Sequence, residues 1–280
     1  MFQRISNSWE LVKASARVLQ ADKELMIFPI ISAISVLIVT LTFALPSILA
    51  GLVDSVIDGE ARVLGTAVAF LFYLVQYFVI FFFNSALVGA AMIRLRGGDP
   101  TVGDGFRIAG RHIGSLLGYA FMAATVGMIL RWLSERAGTL GRIVISLVGL
   151  VWNVATYLVV PVLVVEGVDP ITGLKRSVEL LKQTWGEQIA GNLSIGLVFG
   201  LLTFLIILAG VPLVILAVNA ESLALIIAVI VIMVLALTFV ALVNSTLSGI
   251  YVAAVYQYAT TGETGGYFRR ELVENAFRQK

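Results

Sequence analysis

Six runs of this chain are long and apolar enough to cross a bilayer, and almost no charge interrupts them: Leu25–Val53, Val63–Ile93, Ile113–Leu133, Ile143–Val165, Ile189–Val218 and Ser222–Tyr258. A hydrocarbon core of ~30 Å takes about 20 helical residues to span. Backbone amides in hydrocarbon must be satisfied within one helix or within a closed barrel, and the runs lack the alternating pattern of a barrel strand, which leaves helix. Only 13% of the 280 residues are charged and 59% are hydrophobic. A soluble surface draws on about a quarter charged residues, so lipid must face most of this one. The expected fold is all-α: a polytopic membrane helix bundle with six transmembrane helices. The first run exceeds the ~7–15-residue core of a cleaved signal peptide and reads as a retained span. The sixth is longer than one crossing needs and is expected to tilt, kink or project beyond the bilayer.

Basic residues favour alternate connections. Arg4, Lys13, Arg17 and Lys23 precede the first run; Arg94, Arg96, Arg107 and Arg111 follow the second; Lys175, Arg176 and Lys182 follow the fourth; Arg269, Arg270, Arg278 and Lys280 follow the sixth. The other connections hold only Arg62, Arg131, Arg136 and Arg142. This bias predicts a multi-pass protein of a prokaryotic plasma (inner) membrane with both termini cytoplasmic. The external connections are too short for a folded insertion and no linker divides the chain, so residues 1–280 read as a single integral membrane domain.

The cytoplasmic segments carry a helical period of their own. An N-terminal amphipathic helix is expected over about 6–22, with Trp9, Val12, Ala16 and Leu19 opposite Glu10, Lys13 and Arg17. A C-terminal one is expected over about 265–279, with Phe268, Leu272, Ala276 and Phe277 opposite its charges. Val178, Leu181 and Trp185 repeat the pattern, and Phe106, Ile108 and Ile113 follow it more weakly. Such helices suit a headgroup layer. Arg94, Arg96, Arg107, Arg111, Lys175, Arg176, Arg269 and Arg270 are then the candidate headgroup contacts. The plainer alternative is a set of loop helices packed on the bundle.

A larger period joins these pieces. Each even-numbered run carries an asparagine, and each ends near a Gly-rich turn: Asn84 leads to Gly98-Asp99-Pro100, Asn153 to Gly167-Val168-Asp169-Pro170, and Asn244 to Gly262. The unit is an amphipathic helix, an odd span, a short turn and an even span, which makes three pseudo-repeated hairpins in one orientation. The residue before proline disfavours helix, and Gly97, Gly98 and Gly167 can adopt the left-handed conformation of a helix C-cap. Pro29, Pro46, Pro161 and Pro212 are expected to kink their helices. Asn84, Asn153 and Asn244 fall near mid-bilayer, where a carboxamide facing lipid is costly, so all three are expected to point inward. They form either a candidate intramembrane polar cluster or a set of interhelical hydrogen bonds. Ser85/Gly89, Ser245/Gly249, Gly110/Gly114/Gly118 and Gly196/Gly200 supply small residues at packing spacing.

Catalytic signatures are thin. The chain has no Cys and one His, His112, which removes thiolate and paired-His metal sites. Ser248-Gly249 is a partial match to an intramembrane serine protease motif, and Asp104-Gly105-Phe106-Arg107 to the start of an alcohol phosphatidyltransferase motif; both lack their companions. No GxxxxGK[ST] loop occurs. No catalytic residue, metal or cofactor is therefore expected. Nucleic acid is not an expected partner, because no basic cluster interleaves with aromatics. Membrane lipids are, with a homo-oligomer or a membrane protein partner beside them.

With amphipathic segments, six spans and Asn-Ser-x-Leu-x-Gly even spans ending at Gly-x-Asp-Pro, the chain resembles uncharacterised six-span integral membrane proteins of bacteria and archaea. It is similar in layout to the membrane domain fused to some glycerophosphodiester phosphodiesterases. The expected function is that of a non-enzymatic scaffold or lipid-associated accessory factor; the alternative is a small-solute or lipid transporter using the asparagines.

Overall fold

The computed structural model describes residues 2–51, 55, 61–183, 185–263 and 266–267, excepting the side chains of 2–11, 62, 183, 185–194 and 197. The segment 268–280, with Arg269, Arg270 and most of the C-terminal amphipathic helix expected over 265–279, lies outside the described residues. All regular structure among the described residues is helical: α1 (Phe2–Ala21), a 3-10 turn (Lys23–Met26), α2 (Ile27–Leu49), α3 (Arg62–Leu95), α4 (Val102–Arg111), α5 (Ile113–Arg136), α6 (Thr139–Ala155), α7 (Val159–Glu166), α8 (Pro170–Gln183), α9 (Trp185–Asn219) and α10 (Leu223–Thr261). Six segments of these are long and apolar enough to span a membrane, with α6 and α7 sharing the fourth. The chain is a multi-pass integral membrane protein.

Prolines account for much of the helix punctuation. Pro29 sits in the first turn of α2, where a missing N–H costs little, and Pro46 in its last turns. Pro212 lies inside α9. The fourth span, expected as one rod over Ile143–Val165, is broken at Thr156–Leu158. Pro161 falls in the first turn of α7. Its ring would clash with the carbonyl of Tyr157 in a continuous helix, and the break relieves this.

The turns that close the even spans share one device. Gly97, Gly167 and Gly262 have φ of +86°, +67° and +72°, the left-handed cap that a side chain disfavours. The aspartates beyond the first two of these glycines take different roles. Asp169 caps α8 directly, accepting from the N–H groups of Ile171 (3.0 Å) and Thr172 (3.1 Å). Asp99 does not cap α4; Thr101 does, in a reciprocal capping box with Asp104.

The core lies at the end where α1, α4 and α8 gather. Val12, Ala14 and Val18 of α1, Ala109 of α4, Leu180 of α8, residues 86–92 of α3, 158–163, and Leu247, Ile250, Tyr251 and 253–256 of α10 are buried there. Lys13, Arg17, Arg107, Arg111, Lys175 and Lys182 face outward. The apolar faces of these amphipathic helices therefore turn into the bundle, which corrects the expectation that they lie on lipid. Amphipathicity records an apolar neighbour, and here that neighbour is protein.

Close backbone approach makes this packing possible. An added Cβ on Gly89 of α3 would lie 2.8 Å from Ile108 of α4; one on Gly249 of α10 would collide with Leu87. At Gly105 of α4 it would collide with Phe28 Cζ and sit 2.8 Å from the Ala86 carbonyl oxygen. Toward the other end the hairpins show their side chains: α6 has no buried residue, and Leu49 and Val63 are each 85% exposed. In lipid such exposure carries no penalty. Between α2 and α3 the register is fixed by Gln76 donating to Thr40 Oγ1 (3.1 Å) and by an edge-on Phe43–Phe72 pair.

Gly105→Ala should destabilise the folded protein by about 1–3 kcal/mol, the usual range for overpacking. Thermal unfolding in detergent checks this, with Gly103→Ala, whose nearest neighbour to an added Cβ is 3.6 Å away, as the near-neutral comparison.

Candidate functional site

The three asparagines part company. Asn84 on α3 is half-buried against α10, its amide oxygen 3.6 Å from where a Cβ on Gly249 would sit. Asn244 lies on α10, five residues before Gly249, or ~7.5 Å along the axis. Its Oδ1 is buried and has no hydrogen-bond partner among the described residues. Ser85 is fully buried, and its Oγ is likewise unpartnered among them. Asn84 thus lies in the α3–α10 seam, whereas Asn244 stands roughly 140° round α10 from Gly249 and is not brought against Asn84. Asn153 is exposed on α6. The expectation that it points inward is corrected. α6 packs chiefly on α5 and α8, and the break at Thr156–Leu158 separates its direction from that of buried α7.

The break adds polar groups of its own near the seam. Tyr157 has a buried hydroxyl without a partner among the described residues and lies within electrostatic reach of Tyr251 on α10. The Thr156 hydroxyl, which donates to the Trp152 carbonyl (2.8 Å), lies within electrostatic reach of the Tyr119 hydroxyl of α5. Tyr119 in turn stacks on Phe81 (centroids 4.4 Å), which ends a stacked row from Tyr73 through Tyr77. The i, i+4, i+8 spacing of Tyr73, Tyr77 and Phe81 was available in the sequence, hidden within a run that is aromatic throughout. Of the other polar residues on these spans, Gln76 donates to Thr40, Ser245 is exposed and Gln257 is buried, and the Oε1 atoms of both glutamines have no partner among the described residues.

Charged side chains at the core end are mostly committed to the protein itself. Arg94 donates to the Ala21 carbonyl (2.9 Å), the Gly98 carbonyl (3.2 Å) and Asp99 Oδ1 (2.9 Å), with its side chain only 20% exposed. It therefore ties the end of α1 to the turn after α3 and is withdrawn from the headgroup set. Val102 N–H donates to Glu24 (3.2 Å) across the same junction. Asp22 also lies here; burial raises its pKa above the ordinary carboxylate value, against the lowering effects of the Glu24 N–H and the Arg94 guanidinium. Farther round, Tyr256 donates to Glu166 Oε1 (3.0 Å), which also accepts from Arg176 (3.4 Å). The Arg96 guanidinium lies within electrostatic reach of the same hydroxyl. This tyrosine–carboxylate–arginine group joins α10, α7 and α8, and was not anticipated; tyrosines at 251, 256 and 258 near the polar end of an apolar run were its signal, with nothing to single out Tyr256. Arg107 pairs with Asp104 (3.0 Å). Arg96, Arg111 and Lys175 stand exposed.

Among the described residues no group of three or more His, Asp or Glu side chains could hold a metal. His112 is half-buried, with its Cε1 3.5 Å from the Cβ position of Gly167, and Ser248 is half-buried on α10. The arrangement leaves buried oxygens of Ser85, Asn244 and Tyr157 able to take a hydrogen-bonding group, and exposed basic side chains at the core end able to attract anions.

Residues 63–267 match a protein family described as a family of unknown function (DUF6159). No curated protein and no solved structure matches the chain.

Arg94→Ala should loosen α1 by about 1.5–3 kcal/mol, the worth of hydrogen bonds to a charged group, and Arg94→Lys should not restore it because a single ammonium cannot reproduce the fork. Faster hydrogen exchange over residues 12–21 is the measurement. The helix caps give a pH dependence. Hydrogen bonds from Thr101 hold the Asp104 carboxyl below its ordinary pKa, and those from Thr172 and Ile171 do the same for Asp169. A depressed folded pKa means the stabilisation is present above the unfolded value, ~3.9, and is lost as pH falls through the folded one. Exchange at the first turns of α4 and α8 should therefore quicken below about pH 4, and Asp169→Asn should flatten that response at α8.

Proposed function

This chain belongs to that family of unknown function, and we propose that it works without chemistry, as a scaffold or lipid-associated accessory factor. The observation that carries this reading is the exposed basic rim, Arg96, Arg111 and Lys175, standing on helices whose apolar faces are already used in packing. Such a rim has charge to offer an anionic lipid surface and little apolar surface with which to insert. The positive-inside bias puts the rim in the cytoplasm of a plasma or inner membrane, with both termini on that side.

A second reading, transport of a small solute or lipid, is favoured by one observation: the buried oxygens of Asn244 and Ser85 and the buried Tyr157 hydroxyl, left unpartnered among the described residues. Groups of that kind are commonly met by water or by a ligand. Cysteines at 84 and 244, placed in a chain that has none of its own, separate the readings. Reagent-accessible positions that a solute protects support transport, and two inert positions support the scaffold.

Each basic residue near an anionic surface contributes ~1 kcal/mol, so the combined change Arg96→Gln, Arg111→Gln and Lys175→Gln should lower anionic-lipid retention on the order of 100-fold. Native mass spectrometry of protein released from mixed zwitterionic and anionic lipid reads this out. Unchanged retention would count against the lipid-facing rim.

A further inference from the structure

The geometry points to α6 as the seam of a homodimer, with Asn153 of one copy paired to Asn153 of a second across a two-fold axis along the membrane normal. One side of the helix packs on α5 and α8 and the rest is open: none of its residues is buried, and Val151 is 67% exposed. Most of that surface is Leu, Ile and Val, which lipid solvates well. Asn153 is the exception. It lies 11 residues from Arg142 on the same helix, or ~16 Å at 1.5 Å per residue, roughly half the thickness of the hydrocarbon core. Its side chain is exposed and has no hydrogen-bond partner among the described residues. A carboxamide left there in acyl chains is expensive, and the remedy in membranes is a partner helix.

The face around it is built for close approach. Ser146, Gly149 and Asn153 follow one another at +3 and +4, so they share one side of α6. Ser146 already satisfies its own hydroxyl by donating to the Arg142 carbonyl (2.8 Å), so it presents a small group with no unmet donor. Any partner must bring a hydrogen-bonding group to the depth of Asn153. A second copy does so by symmetry, because both copies insert in the same direction and a two-fold axis along the normal places like residues at like depth. A carboxamide carries both donor and acceptor, so each Asn153 can give one hydrogen bond and take one. A lipid headgroup cannot serve, since it lies at the surface.

Single cysteines in the full-length chain, which has no cysteine of its own, test this in native membranes under mild oxidation. Ser146→Cys and Gly149→Cys should give a disulfide-linked dimer, whereas Val144→Cys and Val151→Cys, exposed on the opposite side, should not. Adding Asn153→Leu to the Gly149→Cys variant should lower the dimer's stability by ~3–20-fold, the range of measured interhelical hydrogen bonds, and Asn153→Gln should retain it. Leucine at an outward position leaves the monomer's packing intact, and unchanged thermal unfolding of the monomer confirms this. Cross-linking alike on both faces, cross-linking to a different protein, no dimer at all, or a dimer indifferent to Asn153→Leu would each overturn the assignment.

Discussion

Steric fit at the backbone of α3 holds the core end together. Lipid tails are as apolar as leucine, so burying one membrane helix against another gains little from the hydrophobic effect; contact, hydrogen bonding and close approach must do it. Gly89 admits Ile108, Gly249 admits Leu87, and Gly105 lets α4 ride on the carbonyl of Ala86. With those three approaches made, α4 and α10 are fixed on α3. The Arg94 clamp and the Glu166–Tyr256–Arg176 group then have defined places to form. Both charged groups sit where the spans meet water, so their cost of desolvation is modest.

The sequence foretold what depends on hydrocarbon. Six spans follow from apolar length, and the left-handed glycines at 97 and 167 follow from their places after the even spans, whereas Gly98, expected to share that role, does not take a positive φ and Gly262 was not foreseen in it. It did not foretell what depends on which apolar medium a residue meets. Val12 and Val18 could lie equally well against lipid or protein, and periodicity alone does not distinguish the two. The same ambiguity misled at Asn153. The rule that an intramembrane amide turns inward assumes that the inside lies within one chain. The broken fourth span was half visible: Pro161 required a defect, but a kink and a full break read alike in one sequence.

Repeated letters do not guarantee repeated roles. Asp99-Pro100 and Asp169-Pro170 come after glycines of the same conformation, yet one carboxylate binds an arginine of its own hairpin and the other caps the next helix. The difference traces to Thr101 and Asp104, which make a capping box and release Asp99. Arg94 has no counterpart one hairpin later, where Glu166 precedes the glycine and the arginine comes from α8 instead. The hairpins are alike in outline, and the chemistry that pins each one is local.

The uneven distribution of buried side chains has a mechanical meaning. One leaflet meets a continuous protein wall made of interlocked helices. The other meets rods with acyl chains on most of their sides, among them α6, none of whose residues is buried. Lateral pressure in the first leaflet bears on a body that yields as one piece. In the second it bears on each rod separately, so thickness and chain order there set the angle between rods without disturbing the wall beneath.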